Sequence, residues 1–313
     1  MKDPSHFSRT ALPPPIDSTD HAGMLEYVDR LCGRYPFVTY NYLGNSILGR
    51  GIPLLSIGRG KRAFLYVGAH HGMEWMTSLI LLRFVSELCD AHVNHRSPYG
   101  ICTSLLLEHC TLHVVPMLNP DGVEYQLHGL NEENPLYERV LRMNGGSADF
   151  SHWQANARGV DLNHNYSAGF AEYKRLEAEN GILEGAPTRF SGEYPASEPE
   201  VAALCGFIAF EEDLCGLLTL HTQGREIYFE GRGKAPKKSY AVAKRLADLC
   251  GYRLMRTEGL ASFGGLTDWC VERLGLPAFT LECGKGENPL PLSSFPLVYT
   301  EVREALFRFP LLL

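Results

Sequence analysis

Along the chain the hydrophobic pattern changes period repeatedly, and each change marks an element. A polar opening segment, residues 1–20, carries Pro13, Pro14 and Pro15 and predicts an extended arm. From Gly23 to Leu31 the spacing predicts a first helix, and residues 44–60, GNSILGRGIPLLSIGRG, alternate around glycines as a hairpin does. KRAFLYVGA (61–69) is a short apolar run ending in small residues, which predicts a buried strand. It runs into residues 74–92, where Met76, Leu79, Ile80, Val85 and Leu88 recur at helical spacing. TLHVVPML (111–118) predicts a strand closed by a turn at Asn119-Pro120-Asp121-Gly122. Residues 122–195, rich in Gly, Asn and Ser, read as irregular. Ser197 with Glu200 has the spacing of a capping box opening a helix over 199–210. Beyond it, 214–220, 226–229 and 277–283 predict strands, while 239–250, stopped by Gly251, and 298–309 predict helices.

Strands alternating with helices predict an α/β fold, a largely parallel sheet covered on both faces. Without repeats or a convincing linker, residues 21–313 read as a single domain.

In open α/β sheets ligands bind beyond the carboxyl ends of the strands, so the residues after each predicted strand are where chemistry is expected. After 61–69 come His70, His71 and Glu74; after 214–220 comes His221; Glu282 is a carboxylate in an otherwise apolar strand; Asn119 and Asp121 follow 111–118. His71 and Glu74 stand three residues apart at a strand-to-helix junction and can converge on one point. Together with His221 they form a set of imidazoles and a carboxylate that leaves a fourth position free, the pattern of an open catalytic zinc site. His70 reads as a packing or capping residue and His113 as a residue within a strand. Gly58–Ala63 satisfies the dinucleotide fingerprint as a string, but it precedes a strand instead of opening a helix. No Gly-x-Ser-x-Gly elbow occurs.

Composition narrows the class further. The chain of 313 residues carries 29 Lys and Arg against 36 Asp and Glu, a net charge of −7 that argues against a broad nucleic-acid surface. Its nine cysteines are odd in number and include no Cys-x-x-Cys pair, which predicts reduced thiols and a cytoplasmic location. The first twenty residues hold no apolar core of signal-peptide length, and no stretch approaches the roughly 18 apolar residues of a membrane span. Nucleic acid and membrane are therefore not expected partners, and the pattern carries no signal for an oligomeric state.

Taken in order, several segments resemble the carboxypeptidase A-like zinc metallopeptidase family. GAHHGMEW carries His71 and Glu74; MLNPDGVEY, RGVDLNHNYSAGF, LHTQGREIYF, GGLTDW and FTLECGKGENPLP follow in the family's sequence from about residue 44 onward. His-Thr-Gln-Gly followed by Ile-Tyr, and Glu-x-Gly-Lys-Gly-x-Asn-Pro-Leu-Pro, are similar to the bacterial γ-D-glutamyl-L-diamino-acid peptidase branch, which cuts between γ-D-glutamate and meso-diaminopimelate in cell-wall stem peptides. The resemblance implies a three-layer α/β/α fold with a mixed, mainly parallel sheet of about eight strands. It implies one zinc ion held by His71, Glu74 and His221, a peptide or muropeptide substrate, and Glu282 as general base and acid. It also implies Asn163 as a holder of the substrate carboxylate.

Three departures stand out: His164 replaces the arginine that usually follows that asparagine, Gln154 stands where a cationic oxyanion donor is common, and Leu260 replaces a mobile tyrosine. Arg158 is near enough in sequence to substitute for Gln154, and Lys285 is either a substrate contact or a solvated loop charge. Competing readings are an ordinary carboxypeptidase on α-peptides, a small-molecule amide deacylase, and a zinc-bearing binding protein without turnover.

Overall fold

The structure, a computed structural model, describes residues 20–313. The arm expected at residues 1–20 lies outside the described residues except for Asp20, whose carboxylate accepts from the Gly23 amide and caps α1 (His21–Arg34). Eight strands follow: β1 (Val38–Asn45), β2 (Gly51–Gly58), β3 (Arg62–Val67), β4 (Cys110–Val115), β5 (Leu214–His221), β6 (Glu226–Tyr228), β7 (Arg253–Leu254) and β8 (Ala278–Glu282). They form one sheet in the order β1-β2-β4-β3-β5-β8-β6-β7. The central four, β4-β3-β5-β8, run parallel, β1 and β2 pair antiparallel at one edge, and β6 enters antiparallel to β8 at the other. This is the mixed, mainly parallel sheet the resemblance implied.

Side chains of β3 divide with a period of two, which explains why a run with no polar alternation is nonetheless a strand. Phe64 and Tyr66 enter one core with α1, α2 (Met76–Val93), α8 (Ser239–Cys250) and α10 (Phe295–Leu312); Leu65 and Val67 enter the other with α7 (Pro199–Phe210) and α9 (Leu266–Leu274). Both faces are thus covered, giving three layers. A smaller apolar cluster of Tyr125, Val140, Phe150 and Trp153 supports the segment that follows α4 (Pro120–His128) and α5 (Tyr137–Met143). Among the described residues no helix is long and apolar enough to cross a membrane.

Four local expectations are corrected. The Asn119–Gly122 signal opens α4: the Asn119 side chain accepts from the Gly122 amide, and Pro120 takes the first helical position, where its missing N–H costs nothing. Residues 122–195 hold α5 and α6 (Phe170–Glu179) as well as the rest of α4, so they are less irregular than their composition suggests. The capping box does not form, because the Ser197 hydroxyl donates to Glu198, the N-cap residue, and Glu200 turns into the protein. The hairpin's first strand starts at Val38, ahead of the glycine-rich stretch, and α3 (Thr103–His109) and α9 add helices that the hydrophobic pattern alone left unmarked.

Candidate active site

β3, β5 and β8 are neighbours and parallel, so their carboxyl ends open on the same edge of the sheet. β5 ends on His221 and β8 on Glu282, which pair across the sheet in register. β3 leads through Gly68 to a single 3-10 turn, Gly72–Glu74, which carries the ligand pair His71 and Glu74. That turn lies against the chain: a Cβ on Gly72 would fall 2.3 Å from the Gly122 carbonyl oxygen and 2.8 Å from that of Trp153, so only glycine fits. The Gly72 amide donates to the Gln154 carbonyl, and the Asn119 side-chain amide donates to the carbonyls of His70 and Ala155. Asn119 is therefore a clamp holding the turn on the 154–155 segment, while Asp121 pairs with Arg50 at 2.6 Å away from the chemistry.

His71, Glu74 and His221 are all buried and converge. Nδ1 of His71 lies 2.9 Å from one Glu74 oxygen, Nδ1 of His221 lies 3.1 Å from the other, and the two Nδ1 atoms are 3.3 Å apart. Ligands about 2.0–2.1 Å from a tetrahedral zinc ion stand about 3.3 Å from one another, so this spacing fits the metal. Burial alone would raise the Glu74 pKa, but the two flanking imidazoles outweigh it and bring it down to about 2. The group is an ionised carboxylate at any working pH.

A shell around these residues fixes their orientation. Nε2 of His71 donates to Asp161 at 3.2 Å, which turns Nδ1 toward the cluster. Asp161 is buried, and its other oxygen accepts from the Arg189 amide. The Thr222 amide donates to Glu74, and Asn288 bridges the Thr222 carbonyl and the Glu74 carboxylate. His70 packs beside His221 and bonds the Tyr166 hydroxyl at 3.0 Å, outside the ligand set, while His113 bonds Ser56 far down the sheet. Asp161 and Asn288 belong to segments quoted for the resemblance, but nothing in the sequence singles them out from their neighbours.

Glu282 shares a cavity of about 520 Å³ with Asn163. Burial, then the nearby Glu74 charge, push its carboxyl well above the usual carboxylate range, toward the pH at which a proton can be both taken and returned. Asn163 accepts from the Leu266 amide through Oδ1, which orients its side-chain NH₂.

Arg158 and His164 are placed differently from expectation, and Lys285 takes the solvated of its two readings. The Gln154 side-chain oxygen accepts from Thr188 at 2.7 Å. Arg158 is withdrawn: Glu198 holds its Nε at 3.1 Å and the Ser197 carbonyl takes another of its N–H groups, so the alternative oxyanion donor is corrected to a brace on the start of α7. His164 does not line the cavity. Its ring stacks on Tyr173 with centroids 4.0 Å apart, and Nδ1 donates to the Phe263 carbonyl at 2.8 Å. Burial lowers its pKa, with Asp161 pulling the other way, so the ring is neutral and the expected substrate contact is corrected to an internal tie between two loops. Lys285 is exposed in the loop after β8 and does not line the cavity either. Leu260 sits half-buried in a 3-10 turn at Gly259–Ala261.

Comparison with known proteins bears on this geometry. The zinc carboxypeptidase family profile matches residues 24–305. The chain is 32% identical over 282 residues to gamma-D-glutamyl-L-diamino acid endopeptidase 1 of Lysinibacillus sphaericus, a match covering 90% of this chain and 69% of that protein. It is 26% identical over 265 residues to human carboxypeptidase O, covering 78% of this chain and 64% of the relative. The fold is similar to that of bovine thrombin-activatable fibrinolysis inhibitor, solved in complex with tick carboxypeptidase inhibitor, with a TM-score of 0.71, 20% identity, and 93% and 95% of the two chains covered. With that profile spanning nearly all of the described residues and a zinc-fitting cluster at the strand ends, the chain belongs to the zinc carboxypeptidase family and is a zinc-dependent peptidase.

Proposed function

We propose that this peptidase hydrolyses the bond between γ-D-glutamate and a diamino acid in cell-wall stem peptides. The observation that carries the reading is His164. A carboxypeptidase that grips a free C-terminal α-carboxylate needs a lasting cation beside Asn163, and here that position holds a neutral ring turned into the protein. The named activity of the Lysinibacillus sphaericus relative supports the same choice.

In this reading His71, Glu74 and His221 hold one zinc ion, and Asp161 and Asn288 keep two of those ligands in place. When bound, zinc polarises the scissile carbonyl and acidifies the attacking water. Glu282 takes the proton from that water and returns it to the leaving amine. Asn163 orients the substrate, and Gln154 offers the oxyanion a neutral amide donor, weaker than a charged one. Residues 21–313 act as one catalytic unit. The nine cysteines, all unpaired, suit a reducing compartment such as the cytoplasm.

Incubation with defined muropeptide fragments, followed by mass spectrometry, tests the proposal. Release of diaminopimelate-bearing products from γ-D-glutamyl substrates is expected. Cleavage confined to the C-terminal residue of ordinary α-peptides would overturn it in favour of a plain carboxypeptidase.

A further inference from the structure

Three polar side chains lie where the core under α7 and α9 meets the zinc-fitting cluster, and the chemistry above uses none of them. His70, Thr219 and Tyr166 are fully buried, each at 0% exposure. Tyr166 belongs to an otherwise apolar core with Leu162, Leu217 and Leu266. Burying a hydroxyl or an imidazole costs free energy unless its polar atoms find partners, and apolar groups of the same shape would fill the space without that cost. These residues find their partners in a row that starts at a metal-ligand candidate. The Thr219 hydroxyl stands 3.4 Å from Nε2 of His221 and 3.4 Å from Nδ1 of His70, and Nε2 of His70 stands 3.0 Å from the Tyr166 hydroxyl.

Separate segments supply the members of this row. Thr219 and His221 both lie on β5, where the strand's period of two puts them on one face. His70 follows β3, and its ring stacks on that of His221 with centroids 5.2 Å apart and planes inclined by 29°. Tyr166 comes from the loop that carries Asn163. The direction of each hydrogen bond follows from the first. A neutral imidazole that offers Nδ1 to a metal carries its proton on Nε2, and in His221 that proton faces the Thr219 oxygen. The Thr219 hydroxyl proton has one acceptor within reach among the described residues, Nδ1 of His70. His70 then carries its own proton on Nε2 and donates it to the Tyr166 oxygen.

Resting on the ligand set above, we infer that His70 is a positioning residue for the metal: through Thr219 it holds the His221 ring in the tautomer and orientation that present Nδ1 to zinc, and Tyr166 in turn holds His70. His71 and Glu74 have their supports in Asp161 and Asn288. The row from Thr219 to Tyr166 gives the third ligand a support of its own. None of its three members lines the cavity beside Glu282 and Asn163, so a change in the row acts on how tightly zinc is held and leaves substrate binding alone. This accounts for polar residues in a core that apolar ones would fill more cheaply.

The experiment measures zinc affinity by competition with a chromogenic chelator, alongside urea unfolding of the metal-free protein. Thr219→Val keeps the shape and removes the hydroxyl, and should weaken zinc binding ~10-fold or more, the scale of losing the partner that orients a metal-binding imidazole. Thr219→Ser should restore most of the affinity. His70→Leu cuts the row without touching β5 and should weaken binding as Thr219→Val does. Tyr166→Phe should weaken it less, and in the double variant with Thr219→Val its effect on zinc should vanish, because the row is already cut. At saturating zinc, KM should match the wild type. A purely structural role predicts instead that affinity falls in step with the stability of the metal-free protein and that the two losses add. Zinc affinities of Thr219→Val and His70→Leu within ~2-fold of the wild type, or a Tyr166→Phe effect that persists in full in the double variant, overturn the inference. If His221→Ala itself keeps zinc, the ligand set falls and the inference with it; if His221→Ala alone among these variants loses zinc, the inference falls and the ligand set stands.

Discussion

Two halves of the site are built on different principles. The reacting half, His71, Glu74, His221 and Glu282, hangs from the ends of three adjacent parallel strands buried on both faces. The recognising half, from Gln154 to His164 together with the loops around Arg232 and Phe263, is drawn from connections that hold one another by side-chain ties. In the first half the side chains stand at or just beyond the strand ends, so their identities can be read for chemistry directly. In the second, a residue's role depends on which loop claims it: Arg158 goes to Glu198, His164 to Phe263, and Arg232 comes into the cavity from a distant segment. The comparison teaches that substitutions in the first half should separate cleanly into metal binding and proton transfer, whereas those in the second should act through the ties.

The largest effects belong to the reacting half. Glu282→Gln keeps size and hydrogen-bonding capacity but removes the proton acceptor. Zinc content by elemental analysis should stay near one per chain, while kcat falls at least ~10²-fold. His221→Ala should lose both the metal and the activity, because it removes one of the three converging ligand atoms. A Glu282→Gln enzyme that loses its zinc as well would erase the separation, making Glu282 part of the metal's support.

That separation follows how much was legible in the sequence. β3, β5 and β8 are long apolar runs, and the polar residues that interrupt or follow them stand out because nothing else explains them there. The residues that steady the site did not stand out. Asp161 and Asn288 are ordinary loop polar residues until the fold brings them to His71 and Glu74. Asn119-Pro120-Asp121-Gly122 was ambiguous for a physical reason: Asn then Pro suits a turn and also a capped helix with proline at its first position. His164 could be recognised as a departure from the family pattern, but its partners, Tyr173 and the Phe263 carbonyl, lie in other segments. Arg232 carried no sequence signal, since its place depends on three other residues, Glu272, Phe263 and Gly169.

The recognising half also rests on a buried charge cluster that sharpens the contrast. Asp121, Glu198 and Glu200 are buried, and the half-buried guanidiniums of Arg50 and Arg158 pair with Asp121 and Glu198. Glu200 is left without a cation of its own, and burial, then the charges of Asp121 and Glu198, raise its pKa from 4.5 to about 8. The folded protein keeps this proton up to about pH 8, while the unfolded chain releases it near 4.5. Its contribution to stability is therefore complete below pH 4.5 and is lost as pH rises toward 8. Glu200→Gln removes that loss, so above pH 8 the variant should be the more stable by up to ~5 kcal/mol in urea unfolding, the scale of a shift from 4.5 to about 8. A variant whose stability changes with pH in parallel with the wild type would show that Glu200 is ionised in the fold.

The smallest effect is expected at His164, and it decides whether that residue recognises substrate or holds loops. A titrating imidazole that gripped a carboxylate would make the preference for free-acid over amide substrates grow as pH falls toward 6. The ring is half-buried and its pKa lowered, so it stays neutral across that range, and its one donated hydrogen bond goes to Phe263. The wild-type ratio of kcat/KM for matched acid and amide substrates should therefore be flat between pH 6 and 8; Glu282 titration cancels in the ratio. His164→Phe keeps the stack on Tyr173 but leaves the Phe263 carbonyl without its donor, which should cost about 1 kcal/mol of stability. The acid-to-amide ratio should not move. An acid preference that rises toward pH 6 in the wild type and vanishes in His164→Phe would return His164 to the substrate and undo the division between the two halves.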